Sequence, residues 1–236
     1  MIIYILSGAS RTGKDSLVEA VTAICKSTSK FLPQPKGSIY IDDPIEYEVC
    51  HLSTITFVYN MLWANPFLKG YVSYENKSVE QRELLCNMKK LLDDYYRNYT
   101  MQYADKMHIG LSTQMMIDAL YGNYKKLSHR ETIVFIDCRE PYMIKELKDA
   151  IERASDACED PLVIKVIKTE RAVIKTERAG DHTQTQSDIE AANSDDYDML
   201  LVNDSDIFTM TMKFMTEELI PTLKSYIKSI ENPKGN

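Results

Sequence analysis

Gly8-Ala9-Ser10-Arg11-Thr12-Gly13-Lys14-Asp15-Ser16 is the stretch on which the reading of the chain turns. An apolar run, Ile2-Ile3-Tyr4-Ile5-Leu6, leads into it, and Leu17, Val18 and Val21 leave it at helical spacing. The stretch therefore predicts strand, loop and helix in succession. A continuous β-branched and apolar run suits a parallel strand buried on both faces. The glycines at 8 and 13 let the backbone turn its N–H groups inward around an anion. The first helical turn then aims its unsatisfied N–H groups and the positive end of its dipole at the same point. Lys14 adds a point charge on a flexible stem. Gly8, Ser10, Arg11, Thr12, Gly13, Lys14, Asp15 and Ser16 are thus candidate ligands of a polyphosphate.

The spacing is that of a G-x-x-x-x-G-K P-loop, with one departure. Asp15 stands where a hydroxyl residue usually follows the lysine, and Ser16 comes one place later. Ser16 is the better candidate for touching magnesium or phosphate. Asp15 either complements the helix N-terminus or acts indirectly on the metal ion.

The chain has 236 residues, 35 acidic against 28 basic, for a net charge of −7. That length suits one large domain, residues 1–236, or one core with an inserted lobe. No Lys/Arg block interrupts the acidic balance, which argues against binding a nucleic-acid backbone. The five cysteines are scattered and never in C-x-x-C spacing, and the four histidines do not group with them. This argues against a disulfide scaffold and a zinc site. The apolar start is too short for a signal-peptide core and no later run is long enough to span a bilayer, so a soluble cytoplasmic protein without membrane contact is expected.

After a loop at Pro33 and Pro35, Ser38-Ile39-Tyr40-Ile41 predicts a second strand, stopped by Asp42-Asp43-Pro44. Carboxylates just past a strand's carboxyl end lie where open α/β sheets bind ligands, which makes Asp42 and Asp43 candidate substrate contacts; turn and N-cap chemistry is the alternative. From Ile45 to Ser128 the pattern predicts helix, a helical acceptor-binding insertion over 45–128. Its best segment runs from Ser78 to about Tyr99, with Ser78 and Gln81 as a capping box, and a further helix is expected over Thr113–Tyr124. The insertion's many tyrosines can stack on a nucleobase or fill a core. They leave a homodimer open. Arg82 and Arg97 are candidates for gripping an acceptor phosphate, with a solvated face as the alternative.

Thr132-Ile133-Val134-Phe135-Ile136 predicts a strong strand ending in Asp137-Cys138-Arg139-Glu140-Pro141. An acid at that point is where P-loop enzymes hold the metal or its water shell, and Arg139 would project into the same crevice. Pro141 suits a helix start. Leu162 to Ile167 predicts another buried strand, overlapping a duplicated heptad: Val166 to Ala172 is repeated identically as Val173 to Ala179. Arg171 and Arg178 would share a face if both lay on a helix. Either one copy completes the strand and the other opens a lid, expected over 169–190, or the duplication is neutral. Tyr197 to Val202 predicts the last strand, Asn203-Asp204-Ser205-Asp206 a turn and helix cap, and Phe208 to Ile230 a closing helix bent at Pro221. Alternating strands and helices predict an α/β fold with a parallel sheet and right-handed crossovers.

This combination resembles the nucleoside and deoxynucleoside monophosphate kinase families of P-loop proteins. Gly8 to Ser16, with G-K-D followed by a hydroxyl residue, is similar to the loop of phage-type deoxynucleoside monophosphate kinases. Tyr197 to Asp204 is similar to a segment near the end of guanylate kinases. Asp137 to Pro141, with Ser38 to Pro44 and the Arg82 to Leu92 helix, is similar to a group of bacterial and phage kinase-like proteins. The resemblance covers roughly 1–50 and 130–230. It implies a five-stranded parallel sheet, a helical acceptor lobe and an arginine-bearing lid, with ATP and Mg²⁺ as cofactors and a small nucleotide as substrate. By position, it implies that Lys14 and the loop amides bind the β- and γ-phosphates and that Asp137 holds the metal shell. Arg139, Arg171 or Arg178 would contact the transferring phosphoryl, and the Asn203 to Asp206 turn would face the adenine. The insertion is longer than the usual acceptor lobe, and the lid carries the duplicated heptad in place of a familiar arginine spacing. Two other classes fit the same loop: a nucleotide-hydrolysing switch, and a nucleotide-binding module without turnover.

Overall fold

The computed structural model describes residues 1–9, 12–28, 32–33, 47–66, 78–101, 108–124, 132–155, 162–171, 186–204 and 206–231. Five strands form one sheet: β1 (Ile2–Ser7), β2 (Glu48–Ser53), β3 (Thr132–Asp137), β4 (Val163–Arg171) and β5 (Met199–Asn203). Their order is β2-β3-β1-β4-β5, and every pairing is parallel. The fold is therefore α/β with an all-parallel sheet flanked by helices.

Strand β1 is buried along its whole length because it stands at the centre. Its alternating side chains serve two cores. Ile2, Tyr4 and Leu6 face one layer with Leu17, Val18 and Val21 of helix α1 (Lys14–Thr28). The closing helices complete that layer: α7 (Ile207–Phe214) and α8 (Ile220–Glu231). Tyr4, Phe135 and Phe214 form an aromatic cluster there, with ring centroids 5.0 to 5.8 Å apart. Ile3 and Ile5 face the other layer. It is built from α4 (Leu111–Tyr124) and from Met143, Ile144, Leu147 and Ile151 of α5 (Pro141–Ser155). Each fully buried side chain of this size contributes about 1.5–3 kcal/mol, so β1 anchors both layers.

Expectation and structure part company in the insertion. Residues 45–128 begin with strand β2 rather than helix; it pairs with β3 from Glu48 opposite Thr132 to Ser53 opposite Asp137. As an edge strand it is only half-buried, so it lacks the apolar run that marks the inner strands. Helices follow as expected: α2 (Thr56–Ala64), α3 (Val79–Thr100) and α4. Ser78 caps α3 in a reciprocal capping box with Gln81. The strand expected at 38–41 lies outside the described residues.

Strand β4 runs through the first copy of the heptad to Arg171. Residues 169–171 therefore belong to the sheet and not to a lid, and Arg171 is on a strand, so a helical face shared with Arg178 does not arise. At its other end the expected lid meets α6 (Gln186–Asn193); 172–185 lie outside the described residues. The irregularity expected at Pro221 is a π-helical turn, Met215–Leu219, joining α7 to α8. A proline has no N–H to donate and its ring crowds the carbonyl four residues back, and a widened turn relieves both. Among the described residues no helix is long and apolar enough to cross a membrane.

Candidate functional site

The crossover from β1 leads toward β2 on one side of the sheet, and that from β4 leads to β5 on the other. Where neighbouring connections diverge, the carboxyl ends of the strands frame a crevice. A cavity of about 460 Å³ opens there. Helix α1 supplies Lys14, Asp15 and Ser16 with Gly13 before it; the end of β3 supplies Asp137 and Arg139; β4 and β5 end in Arg171 and Asn203; and α7 begins with Ile207. These residues come from five stretches of sequence. The parallel sheet unites them by ending its strands on one side.

The loop before α1 is shaped by two glycines. Gly8 has φ +123° and Gly13 φ +96°, values that L side chains rarely adopt. A Cβ on Gly8 would stand 2.2 Å from the Thr169 carbonyl oxygen, and one on Gly13 would stand 2.6 Å from Asn203 Nδ2. Thr12 pins the loop: its Oγ1 donates to the Ala9 carbonyl at 2.9 Å and lies 2.6 Å from Thr169 Oγ1. Thr169 Oγ1 bonds in turn to the Ser7 carbonyl at 3.1 Å, and Asn203 Nδ2 donates to the Thr12 carbonyl at 3.3 Å. Lys14 is buried, and its Nζ donates to the Gly8 and Ala9 carbonyls at 2.7 and 2.8 Å. An ammonium held on loop carbonyls beside a helix N-terminus is the chemistry that receives an anion.

Opposite the loop stands Asp137. Its Oδ2 lies 3.3 Å from His51 Nε2, while its Oδ1 is buried with no hydrogen-bond partner among the described residues. A buried carboxylate oxygen left without a donor is costly in protein alone, and it suits a cation. The hydrogen bond that His51 donates to Asp137 raises the pKa of His51; burial opposes this, and the charges of Asp137, Asp15 and Glu19 add to it. Asp15, His51 and Asp137 offer ligand atoms all within 4.8 Å of one another.

Among the expected site residues, Gly13, Lys14, Asp15, Ser16, Asp137, Arg139, Arg171 and Asn203 share the cavity. Gly8 and Thr12 lie behind it, shaping the loop. Arg82 is half-buried on α3 and does not line the cavity. Arg97 is engaged elsewhere: its Nε donates to Glu146 at 2.9 Å and its Nη1 to Asp94 at 3.0 Å, a brace between α3 and α5 rather than a phosphate grip. Ser10, Arg11, Asp42, Asp43 and Arg178 lie outside the described residues. The residues not anticipated are His51, concealed in a stretch read as helix, and Thr169, whose role depends on β4 lying beside the loop.

No protein-family model matches the chain, and no curated protein is similar enough to match it. The functional reading therefore rests on the crevice itself.

Proposed function

We propose that the chain is an ATP-dependent phosphotransferase with a P-loop fold, acting on a nucleoside or deoxynucleoside monophosphate or a similar phosphate acceptor. The observation that carries this reading is the convergence of Lys14, Arg139, Arg171 and Asp137 on one cavity of about 460 Å³, a size that suits a small ligand. Phosphoryl transfer needs alignment and charge neutralisation more than covalent chemistry. In this reading the backbone after Gly8 and the start of α1 receive the β- and γ-phosphates. Lys14 leaves the Gly8 and Ala9 carbonyls for phosphate oxygens. Arg139 and Arg171 stand across the cavity as the groups that neutralise charge on the transferring phosphoryl, and Asn203 borders the end that would receive the base. Asp137, Ser16 and Asp15 would hold Mg²⁺, which supplies charge neutralisation at the phosphates when bound. Arg178 keeps its place in the reading as the second heptad's arginine.

A hydrolytic switch would need a water-activating base beside Asp137. The next residue in sequence, Cys138, is fully buried, and that burial pushes its thiol pKa far up, so it cannot serve. His51, engaged with Asp137 at 3.3 Å, is the one imidazole in reach among the described residues, and acceptor dependence of ADP formation separates the two readings. The test is ADP formation from Mg·ATP across a panel of ribo- and deoxynucleoside monophosphates, with Lys14→Ala as control. Acceptor-dependent ADP, lost in the variant, is expected. ADP without any acceptor would replace this reading with a hydrolase, and ATP binding without turnover would replace it with a binding module.

A further inference from the structure

The phosphotransfer reading gives no role to the imidazole of His51, which stands 3.3 Å from the cavity-lining Asp137. It projects from an edge strand, one register position before Leu52 and Ile136 pair and two before Ser53 meets Asp137. The sheet thereby brings a nitrogen ligand from β2, a carboxylate from the end of β3 and a second carboxylate from the first turn of α1 to one point. All three ligand atoms lie within 4.8 Å of one another.

The spacing is informative. Ligand atoms bound about 2.1 Å from a common metal stand about 3.0–3.4 Å apart in octahedral or tetrahedral sites. His51 Nε2 and Asp137 Oδ2 are 3.3 Å apart, already at that separation, and Asp15 reaches them from an exposed side chain. A simple ion pair accounts for less. Two carboxylates around one imidazole leave at least one negative charge uncompensated within the triad even when His51 is protonated. Asp137 Oδ1, buried and without a hydrogen-bond partner among the described residues, is the atom on which that excess would weigh most.

We propose that Asp15, His51 and Asp137 form a three-ligand site for a first-row transition dication, and that the His51 imidazole makes the site prefer Mn²⁺ or Zn²⁺ to Mg²⁺. Magnesium is a hard ion that keeps its waters and takes oxygen ligands, whereas an imidazole nitrogen suits the borderline ions. Three protein ligands leave positions open for water or phosphate oxygens. The proposal rests on the phosphotransfer reading only for what the metal would serve; the site itself binds without nucleotide.

That independence sets the test. Nucleotide-free protein is titrated with Mn²⁺ near pH ~8, where imidazole ligates as the neutral base, and free Mn²⁺ is read by its paramagnetic resonance signal, with Mg²⁺ and Zn²⁺ as competitors. One Mn²⁺ per chain is expected, displaced by Zn²⁺ far more readily than by Mg²⁺. His51→Gln should weaken Mn²⁺ by ~10-fold or more while leaving the affinity for Mg²⁺ nearly unchanged, so that Mg²⁺ displaces Mn²⁺ more readily than from the parent. Asp15→Asn should weaken both ions. Asp15 is exposed at a helix start, so this second variant keeps the test decisive if the strand variant fails to fold. Absence of stoichiometric binding, equal preference for Mg²⁺, or a His51→Gln protein that binds Mn²⁺ like the parent would overturn the proposal and leave His51 as an ion-pair partner of Asp137. If Mn²⁺ binds as expected but no acceptor yields ADP, the phosphotransfer reading fails and the metal site stands. If ADP forms with an acceptor but Mn²⁺ does not bind, the metal site fails and the phosphotransfer reading stands.

Discussion

Asp137 and Glu140 stand three residues apart at the end of β3 and meet opposite fates. Asp137 faces the crevice with one carboxylate oxygen lacking any hydrogen-bond partner among the described residues. Glu140 turns toward the helices, where its Oε2 accepts from Lys89 Nζ at 2.5 Å and both side chains are nearly out of water. The rest of that second cluster is occupied except at Arg97 Nη2, which is buried without a hydrogen-bond partner among the described residues. Asp93 accepts from the Ser112 amide at 2.7 Å and from its hydroxyl at 3.0 Å. Glu146 accepts from Arg97, from the Gly110 amide and from Thr113 Oγ1. Lys89, Asp93 and Arg97 recur every fourth residue on α3, so one helix face carries the network that joins α3 to α4 and α5. Both regions are dense in charge and each holds a buried polar atom without a hydrogen-bond partner among the described residues, but that of Asp137 belongs to a residue lining the cavity, whereas Arg97 stands among the carboxylates of its own network. Charge density therefore marks neither region as functional; unsatisfied charge beside a cavity does.

The contrast can be broken most forcefully at Lys89. Removing one partner of a buried pair leaves the other charged and unpaired, so Lys89→Ala should lower unfolding free energy by about 3–5 kcal/mol, read as a shift of the denaturant midpoint. Replacing Lys89 and Glu140 together by methionine should restore most of that loss. In the crevice the expected pattern is reversed. Lys14→Ala should cost acceptor-dependent turnover about 3–4 kcal/mol of transition-state stabilisation, by analogy with losing one preorganised donor, while circular dichroism shows the fold retained. Wild-type turnover in that variant would remove the crevice from the mechanism.

Gly8→Ala tests the loop on which the crevice depends. Left-handed strain of about 1–3 kcal/mol, with a Cβ forced 2.2 Å from the Thr169 carbonyl oxygen, should lower the melting temperature and abolish nucleotide binding; a variant that binds as before would show that the loop tolerates another shape. The buried network should also respond to acid. Burial alone would raise the Glu140 carboxyl, but the charge and hydrogen bond of Lys89 outweigh it and hold the pKa below its ordinary 4.5. A folded value below the unfolded one stabilises the protein above pH 4.5, and that contribution is lost as pH falls through the folded value. Asp93 runs the other way: burial, only partly offset by Ser112, Lys89 and Arg97, raises it above 3.8, so its ionisation costs stability as pH rises from there. Denaturant midpoints against pH should thus show a shallower acid limb in Glu140→Gln than in the parent. The smallest effect belongs to Asp94, whose side chain is 53 % exposed beside Arg97. Asp94→Ala should change stability by less than about 1 kcal/mol, and a larger loss would mean that the edge of the network bears more than its exposure suggests.

Much of the architecture was legible because the inner strands are buried on both faces. β1, β3 and β4 carry apolar runs that no other element needs, and α3 announces its start through Ser78 and Gln81. Strand β2 was not legible. Glu48-Val49-Cys50-His51-Leu52-Ser53 has one neighbour and a half-buried face, so its composition follows no strand pattern, and His51 was hidden with it. Arg97 illustrates a different limit. Helical spacing says which residues share a face, but not that a glutamate 49 residues later, on α5, will cover that face. The duplicated heptad makes the point locally: Val166 to Arg171 is strand because β1 and β5 flank it, a fact that the seven letters themselves do not contain.

The central claim is that the crevice, and not the buried network, receives a polyphosphate. Calorimetric titration of Mg·ATP into the parent chain, Lys14→Ala and Asp94→Ala tests it most directly. The account predicts one site per chain, lost in Lys14→Ala and unchanged in Asp94→Ala. Binding that survives removal of Lys14, or no binding to the parent chain, would contradict it.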